Sequence, residues 1–468
     1  MREFVRRNGS PSRLEVLGLL ILAAAAAFVL GRGISTPSAE FDEAVYFASA
    51  RALSGGAELG QDVFASQPPL FFSFLEGSYW LFDGSDTAIR VLMLFVTLGG
   101  AVAAWVLVRE IAGREAGLIA AGLFLVAPAI GERAAVISGD VLAVALVVAA
   151  VAVATVAVPK RAEWAIAAGV LAGAGLMVKL LAAPLLPAVL VALWAVRAPI
   201  RAHAYAVAGG AILAVAAVVP YLGSAGDLWE GAFGIRDGAR DVFGVGVGGG
   251  TPILFVALGG LTLAAAAGLG AAIGAPSSWW RDRAAILAMV AGGLVFVFVH
   301  RPLFAHHLVV ISAPLALLAA SAWPRLRVQP AAALVAVFGI VLLLAPLPLR
   351  DREAPPTAFD DQERVAEIVR TQTAPSDPVI SDLPLVPILA DRAPPPQTID
   401  VSFVRMGSDP DAPAIVLAEA EDAGAVVAGR AFLVSPGLVD QLAARFPESE
   451  RVGDITVFYR GLPAGSST

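Results

Sequence analysis

Two adjacent carboxylates, Asp42 and Glu43, follow the first long apolar segment of the sequence, residues 14–30. A carboxyl group at the boundary between a low-dielectric region and water has a raised pKa, which makes it a competent proton acceptor. An acidic pair at this point also suits the first turn of an amphipathic helix with Phe41 and Val45 on its apolar face. Both interpretations, a general base and a helix cap, fit these residues.

Other potential ligands are few. Three of the four histidines, His300, His306 and His307, flank one short segment. They could bind a divalent ion or a phosphate, or lie at a membrane interface with no ligand role. The sequence contains no cysteine, which excludes disulfides, thiolate metal sites and cysteine nucleophiles.

The elements that must position these residues are membrane-spanning helices. Hydrophobic residues make up 58% of the 468 residues and charged residues 15%, against about 45–50% and about 25% in soluble domains. Many apolar segments approach the roughly 20 residues that a helix needs to cross a bilayer. The sequence therefore predicts an α-helical polytopic membrane protein with eleven spans, near residues 14–30, 88–108, 115–131, 139–158, 163–178, 180–197, 203–223, 251–275, 285–300, 307–323 and 330–348.

Pairs of cations predict the orientation of these spans. Alternate connections each carry two, namely Arg109/Arg114, Lys160/Arg161, Arg197/Arg201, Arg281/Arg283 and Arg325/Arg327. Cytoplasmic loops are enriched in Lys and Arg, so the basic N-terminus is predicted to be cytoplasmic in an inner or plasma membrane. Segments 34–86, 132–139, 224–250 and 300–306, and the chain beyond about 349, are then extracytoplasmic.

The tail from residue 351 to residue 468 differs from the rest of the chain. It contains 19 acidic and 9 basic residues, a balance that argues against binding nucleic acid or anionic lipid. Segments 378–382, 424–428 and 454–460 are typical of buried strands, and 361–371 and 437–446 of helices. We therefore predict a small α/β domain after a transmembrane domain of residues 1–349.

A set of short motifs along the chain resembles one superfamily. The Asp42-Glu43 pair is followed by Tyr46 and by Pro68-Pro69-Leu70. Further matching pieces are Arg90, Gly-Arg-Glu-Ala-Gly-Leu at 113–118, Ser-Gly-Asp at 138–140, Gly-Leu-Met-Val-Lys at 175–179 and Arg-Pro-Leu-Phe-Ala-His-His at 301–307. Together they resemble the GT-C membrane glycosyltransferases, in particular bacterial enzymes related to protein O-mannosyltransferases and to the lipid A aminoarabinose transferase. The resemblance covers most of residues 35–320.

The resemblance implies transfer of a sugar from a polyprenyl-phosphate donor to a hydroxyl of a glycan, glycolipid or protein acceptor, with inversion, at the outer membrane boundary. Asp42 matches the catalytic base of the family's first loop. Glu43 is implied to orient acceptor or water. Asp140 occupies the second acidic position, where it would bind an acceptor hydroxyl or order Arg133. Substrate contacts are implied for Tyr46, Gln67, His306 and His307.

One motif departs from the family. The aminoarabinose transferases have Glu-Lys-Pro-Pro where this chain has Ser-Gln-Pro-Pro at 66–69. The absent Glu is a metal ligand and the absent Lys a phosphate-binding cation, so we assign no metal ligand and leave a divalent ion open. Lys179, Arg301 and Arg90 are the candidates to bind the donor phosphate, and Lys179 suits equally well a snorkelling anchor.

Two other classes of protein would also have many membrane spans. A lipid or sugar transporter or flippase would also place a few charges at the membrane edge, but its polar residues are expected near the midplane, and here they gather in the predicted outer loops. A non-catalytic scaffold would use the tail as a binding module. We predict that the tail packs on the outer loops and shapes acceptor access.

Overall fold

A computed structural model describes residues 11–32, 34–35, 40–235, 251–300, 303–326 and 356–461. Arg301, Arg327 and the predicted span 330–348 lie outside these residues. The chain divides into two compact units. The first comprises Met1–Ile34, Arg90–Val219 and Val247–Leu349, and the second comprises Ser35–Ile89, Pro220–Gly246 and Arg350–Thr468.

Up to residue 326 the described chain is helical. Its α-helices are α1 (Arg13–Leu30), α2 (Phe41–Ser54), α3 (Pro69–Leu81), α4 (Asp86–Ala112), α5 (Arg114–Val126), α6 (Pro128–Arg133), α7 (Gly139–Val156), α8 (Trp164–Val178), α9 (Pro187–Ala195), α10 (Ile200–Val218), α11 (Ala225–Trp229), α12 (Thr251–Ala271), α13 (Ser277–Asp282), α14 (Ala284–Val299) and α15 (Val309–Leu326). Short 3-10 segments are Leu180–Leu185, Val219–Ser224 and Ala305–Leu308, and Glu230–Gly234 is a π-helical turn.

Helices occupy the predicted positions of the spans within the described residues. By length and composition, four are suited to crossing a membrane: Arg13–Leu30, Asp86–Ala112, Gly139–Val156 and the merged segment Ile200–Gly234. Several shorter apolar helices of 10–17 residues accompany them, among them α8 and α14. The multi-pass membrane architecture is therefore supported, and the number of eleven spans stays a prediction.

Proline breaks two of the predicted spans. In the span predicted at 115–131, Ala127 is extended and Pro128 begins a new helix, α6. The span predicted at 180–197 starts as a 3-10 segment containing Pro184 and becomes α-helical only at Pro187. Proline lacks an amide hydrogen and fixes its φ, so it interrupts a helix and suits the first position of the next one.

Glycines bring the backbones of α8 and α10 into contact. A Cβ atom at Gly169 would come within 1.9 Å of the carbonyl oxygen of Ala206, and one at Gly173 within 2.8 Å of the carbonyl oxygen of Gly210. Gly209 on α10 leaves equally little space against Ile166. Small residues at four-residue spacing allow such close packing between helices that have no water to exclude.

The tail forms a small α/β domain, as the sequence predicts. Its helices are α16 (Pro356–Gln372), α17 (Leu385–Leu389), α18 (Phe403–Ser408), α19 (Ala412–Glu419) and α20 (Leu438–Ala443), and its strands are β1 (Val379–Ser381), β2 (Ala425–Ala428), β3 (Glu448–Val452) and β4 (Ile455–Tyr459). The sheet order is β1-β2-β4-β3, with β1 parallel to β2 and the other pairs antiparallel. The predicted strands near 378–382, 424–428 and 454–460 are confirmed, whereas β3 was not predicted.

Both faces of the sheet are covered at its central strand β2. Ile380, Val426 and Phe458 belong to one apolar cluster, and Val379 and Val427 belong to another that includes residues of α16. Alternate residues of a strand point to opposite faces, so a central strand covered on both sides is apolar throughout, as β2 is.

The second unit also contains most of two segments predicted to form outer loops, 34–86 and 224–250. Helices α2 and α3 pack against each other, and α17 of the tail packs against α2. The Ser224 hydroxyl donates a hydrogen bond to the carbonyl oxygen of Leu59 at 2.9 Å. The tail and these two loop segments therefore form one compact unit, and the predicted tail contacts with outer loops are present in it.

Candidate active site

Asp42 and Glu43 lie in the first turn of α2. The helix begins after Glu40, whose extended backbone forms the N-cap without a side-chain hydrogen bond. Carboxylates in a first turn interact favourably with the exposed amides and the helix dipole. Glu43 is only 2% exposed, while Asp42 is partly exposed. Of the two, Asp42 is therefore the carboxylate that a substrate can reach.

Two predicted substrate-binding residues meet beside Asp42. The Gln67 side-chain amide donates a hydrogen bond to the hydroxyl oxygen of Tyr46 at 3.1 Å, and both side chains are buried. The Tyr46 ring lies edge-on to Phe71, with 4.8 Å between ring centroids. Tyr46 is one helical turn after Asp42 and so lies on the same face of α2. The hydrogen bond between Gln67 and Tyr46 therefore links the 59–67 segment to α2, the helix that carries Asp42.

In the first unit, Asp140 and Lys179 form a buried ion pair. The distance from Lys179 Nζ to Asp140 Oδ1 is 2.8 Å, and the side chains are 4% and 0% exposed. Asp140 is in the first turn of α7, and Lys179 is the C-cap residue of α8. Desolvating two charges is costly, and their mutual attraction offsets that cost.

Close packing of α7 and α8 explains this pair. A Cβ atom at Gly175 would come within 2.9 Å of the carbonyl oxygen of Ala143. Ala143 lies three residues after Asp140, and Gly175 lies four residues before Lys179, so both charges lie about one turn beyond the contact. The glycine thus sets the distance at which Lys179 reaches Asp140.

Arg133 is a further cation of this cluster, which the sequence indicated only as a partner for Asp140. It is 3% exposed, at the end of α6, and interacts electrostatically with Asp140. Lys179 and Arg133 are therefore two buried cations that interact with the same carboxylate. The predicted phosphate-binding residue Arg90 donates a hydrogen bond to the carbonyl oxygen of Ile34 at 3.4 Å. This hydrogen bond is not part of the cluster around Asp140.

The predicted histidines do form a cluster. The ring centroids of His306 and His307 are 4.4 Å apart, and those of His300 and His307 are 4.8 Å apart. His307 Nδ1 accepts a hydrogen bond from the backbone amide of Phe304 at 3.3 Å, so Nε2 is the nitrogen that carries the hydrogen in the neutral ring. Within the described part of the chain, no group of three or more His, Cys, Asp or Glu side chains is arranged to hold a metal ion.

Comparisons with known proteins agree with this architecture. A family model for dolichyl-phosphate-mannose-protein mannosyltransferases matches residues 66–223. The structure of ArnT from Cupriavidus metallidurans in the apo state is similar, with 14% identity, a TM-score of 0.64 and coverage of 95% of this chain and 98% of that one. ArnT bound to undecaprenyl phosphate gives a TM-score of 0.65 at 14% identity, over 96% and 97% of the two chains.

A second similar protein is larger. The mycobacterial arabinofuranosyltransferase AftD matches with 16% identity and a TM-score of 0.53, over 97% of this chain and 42% of that one. No curated protein matches the sequence significantly. Both named enzymes have the GT-C fold, and the resemblance read from the sequence motifs is confirmed at this level. The chain therefore has the fold of the GT-C glycosyltransferases.

Proposed function

We propose that this protein transfers a sugar from a polyprenyl-phosphate donor to an acceptor hydroxyl, with inversion, at the outer face of the membrane. The observation that carries the proposal is the position of Asp42. It is a partly exposed carboxylate in the first turn of α2, in a chain whose fold matches that of ArnT bound to undecaprenyl phosphate. A positioned carboxylate of this kind is what the attack of a hydroxyl requires.

In the proposed reaction Asp42 is the general base. The acceptor oxygen attacks the anomeric carbon while Asp42 takes the hydroxyl proton, and the bond from that carbon to the phosphate oxygen breaks. The bond's electron pair leaves with the polyprenyl phosphate, and attack from the opposite side inverts the anomeric centre. Glu43 is buried behind Asp42 and in this scheme supports the base without contacting the acceptor.

The leaving phosphate needs cations, because negative charge accumulates on it as the bond breaks. Arg133 and Lys179 are proposed to supply them, since both are buried cations that interact with Asp140, the second acidic position of the motif set. Arg301 and Arg90 stay predicted contributors. In this scheme Asp140 orders both cations, and His306 and His307 contact the donor sugar or its phosphate.

The test of this proposal is Asp42→Asn. The variant keeps the shape of the side chain but cannot accept the proton, so transfer is expected to fall by at least about a hundredfold, as for loss of other general bases. The reaction is followed by mass spectrometry of surface glycans and isoprenoid-linked sugars in cells with and without the gene. Binding of polyprenyl phosphate to the purified variant is expected to match wild type.

The matched control is Asp83→Asn. Asp83 is exposed in the same unit and has a φ of 50°, which asparagine tolerates well. The Asp83→Asn variant is expected to transfer sugar at the wild-type rate. If Asp42→Asn keeps transfer within about tenfold of wild type, a difference of about 1.4 kcal/mol, Asp42 is not the base. If the wild type moves the carrier lipid across a bilayer without transferring sugar, the protein is a flippase.

A further inference from the structure

We infer that the C-terminal domain holds the helix that carries Asp42 in place, and that Arg405 is the positioning residue through which it does so. The catalytic consequence rests on the function proposed above, whereas the contacts themselves do not. All of them lie within the second compact unit.

The first contact is between two helices. Helix α17 of the tail packs against α2. Its own position is fixed by the sheet domain, since Leu385 and Val386 are 3% and 0% exposed and Val386 belongs to the apolar cluster over the sheet. A helix anchored in a packed core cannot shift freely, because protein interiors are close-packed. The tail thus forms part of the surface on which α2 rests.

The second contact is the buried guanidinium of Arg405. The residue is 5% exposed, and its Nη1 donates hydrogen bonds to the carbonyl oxygens of Gln397 and Asp400, both at 2.8 Å. Its Nε donates to Asp409 Oδ2 at 3.2 Å. These bonds leave one face of the planar group for the Phe64 ring, whose centroid is 4.3 Å from the guanidinium carbon. A guanidinium over an aromatic ring is attracted by the negative face of the ring, and more strongly where water is excluded.

Phe64 belongs to a segment that is tied to α2 on its other side. Three residues further on, Gln67 donates its hydrogen bond to Tyr46, one turn after Asp42. The segment is also held from the 220–235 side, where a Cβ atom at Gly231 would come within 2.6 Å of the carbonyl oxygen of Ala65. A displacement of Phe64 is therefore expected to shift Gln67 and Tyr46, and with them the first turn of α2.

These contacts assign the tail a role in the chemical step. A general base must hold its oxygen within hydrogen-bond reach of the proton, and a misplacement of about 1 Å costs up to about a hundredfold in rate. Arg405 touches no substrate in this scheme. It acts by fixing the segment that fixes α2.

The test compares Arg405→Ala, Phe64→Leu and the double variant in the full-length protein. Arg405→Ala is expected to lower kcat at saturating donor and acceptor by about tenfold to a hundredfold, with donor affinity unchanged. Phe64→Leu keeps apolar volume but removes the ring, and its loss is expected to be similar. Because both act through one contact, the double variant is expected to lose little more than either single one. Arg405→Lys keeps the charge and should restore part of the activity.

A second readout does not depend on activity. Hydrogen–deuterium exchange of the α2 amides is expected to rise in Arg405→Ala, and to stay at the wild-type level in the control Arg445→Ala, which removes an exposed arginine of the same domain. Limited proteolysis checks that the tail stays folded, and kcat is expressed per molecule with an intact tail.

The outcomes separate this inference from the proposed function. Unchanged α2 exchange, additive losses in the double variant, or a kcat loss that only follows the fraction of cleaved tail would each overturn the positioning role. If α2 exchange rises and the losses are coupled, the role stands. If Asp42→Asn still transfers sugar at the wild-type rate while α2 exchange rises in Arg405→Ala, the proposed function fails and the structural part of this inference survives.

Discussion

In the first compact unit the buried carboxylates Glu15 and Asp140 are paired with cations, whereas in the second unit the buried carboxylate of Asp382 is held by backbone amides. Glu15 Oε1 lies 2.7 Å from Arg109 Nε, and Asp140 Oδ1 lies 2.8 Å from Lys179 Nζ. Asp382 accepts hydrogen bonds from the amides of Gly429 at 2.6 Å and Phe432 at 3.0 Å.

The difference follows from where the two units have unused amides. Glu15 accepts one backbone hydrogen bond, from the Ser12 amide at 2.8 Å, but a helix interior uses its other N–H groups internally, so cations are the further partners of the buried carboxylates in the first unit. At the ends of β1 and β2 the chain leaves the sheet, and the amides that follow β2 are free to donate. Gly429 makes this possible, because a Cβ atom there would lie 2.8 Å from Asp382 Oδ1. Irregular backbone thus supplies hydrogen-bond partners to both oxygens of Asp382, whereas Glu15 and Asp140 have cations beside them.

The largest expected effect comes from breaking the pair in the first unit. Asp140→Ala leaves Lys179 buried without its carboxylate and is expected to destabilise the protein by about 3–5 kcal/mol. Chemical unfolding in nanodiscs measures this loss. The double variant Asp140→Ala/Lys179→Met removes both charges and is expected to regain much of it. Equal destabilisation in the single and double variants would show that the pair is not what holds these helices.

The next effect concerns pH in the second unit. Burial raises the pKa of Asp382 from 3.8 to about 6, although the two backbone amides oppose the shift. The folded tail therefore holds this proton more tightly than the unfolded tail. The resulting stability, on the order of 3 kcal/mol, is fully present below pH 3.8 and is lost as the pH rises through about 6.

Asp382→Asn removes this titration. The stability of wild type relative to the variant is therefore expected to fall between pH 4 and pH 7, by on the order of 3 kcal/mol. Hydrogen exchange of the β1 and β2 amides in the full-length protein, measured across this pH range, reports the tail's local stability. A difference that rises with pH would mean that the amides outweigh burial and that the pKa of Asp382 is lowered.

A smaller effect is expected at Glu15, which also lies 3.2 Å from Arg114 Nε through its second oxygen. Glu15→Gln removes the charge but keeps hydrogen-bonding capacity, so the loss is expected to be roughly 1–3 kcal/mol. The neighbouring exposed Glu115 on α5 gives a matched control, and Glu115→Gln should leave the midpoint of unfolding unchanged. If the Glu15→Gln and Glu115→Gln variants have the same midpoint of unfolding, the ion pairs of Glu15 contribute no more to stability than the exposed side chain of Glu115.

The smallest effect is expected for an ion pair in which water solvates both charged side chains. Arg430 Nη2 and Asp454 Oδ2 are 3.7 Å apart, but the side chains are 85% and 78% exposed. Asp454→Ala is therefore expected to change the stability of the tail by less than about 0.5 kcal/mol. Denaturant unfolding monitored at the tail checks this value, and a loss comparable to that of Glu15→Gln would remove the distinction between buried and exposed pairs.

Periodicity and composition predicted where the helices and strands lie better than they predicted which elements pack together. The strand segments 378–382, 424–428 and 454–460 are short and apolar, as buried strands must be. Strand β3 has the sequence Glu-Ser-Glu-Arg-Val and only its last residue is buried, because it lies at the edge of the sheet. An exposed edge strand needs no apolar pattern, so this strand could not be recognised.

The sequence predicted where candidate site residues lie on their helices, but not which of them pair. The motif placed Asp42 and Asp140 at helix starts, and both lie there. The partner of Lys179 was not predicted, because it depends on the rotation of α8 against α7, which the Gly175 contact sets. Arg405 gave no signal at all, since its role follows from Phe64, far earlier in the chain, and only the fold brings the two together.

The close approach of α8 and α10 has a consequence for how a lipid reaches the interior. Because Gly169 and Gly209 leave no space for even a methyl group against the opposite backbone, an acyl chain cannot pass between these helices. Away from this contact, α10 exposes large apolar side chains such as Ile212 and Val215, as a lipid-facing surface does. In the proposed reaction, lateral entry of a carrier lipid must therefore use another gap between helices of the first unit.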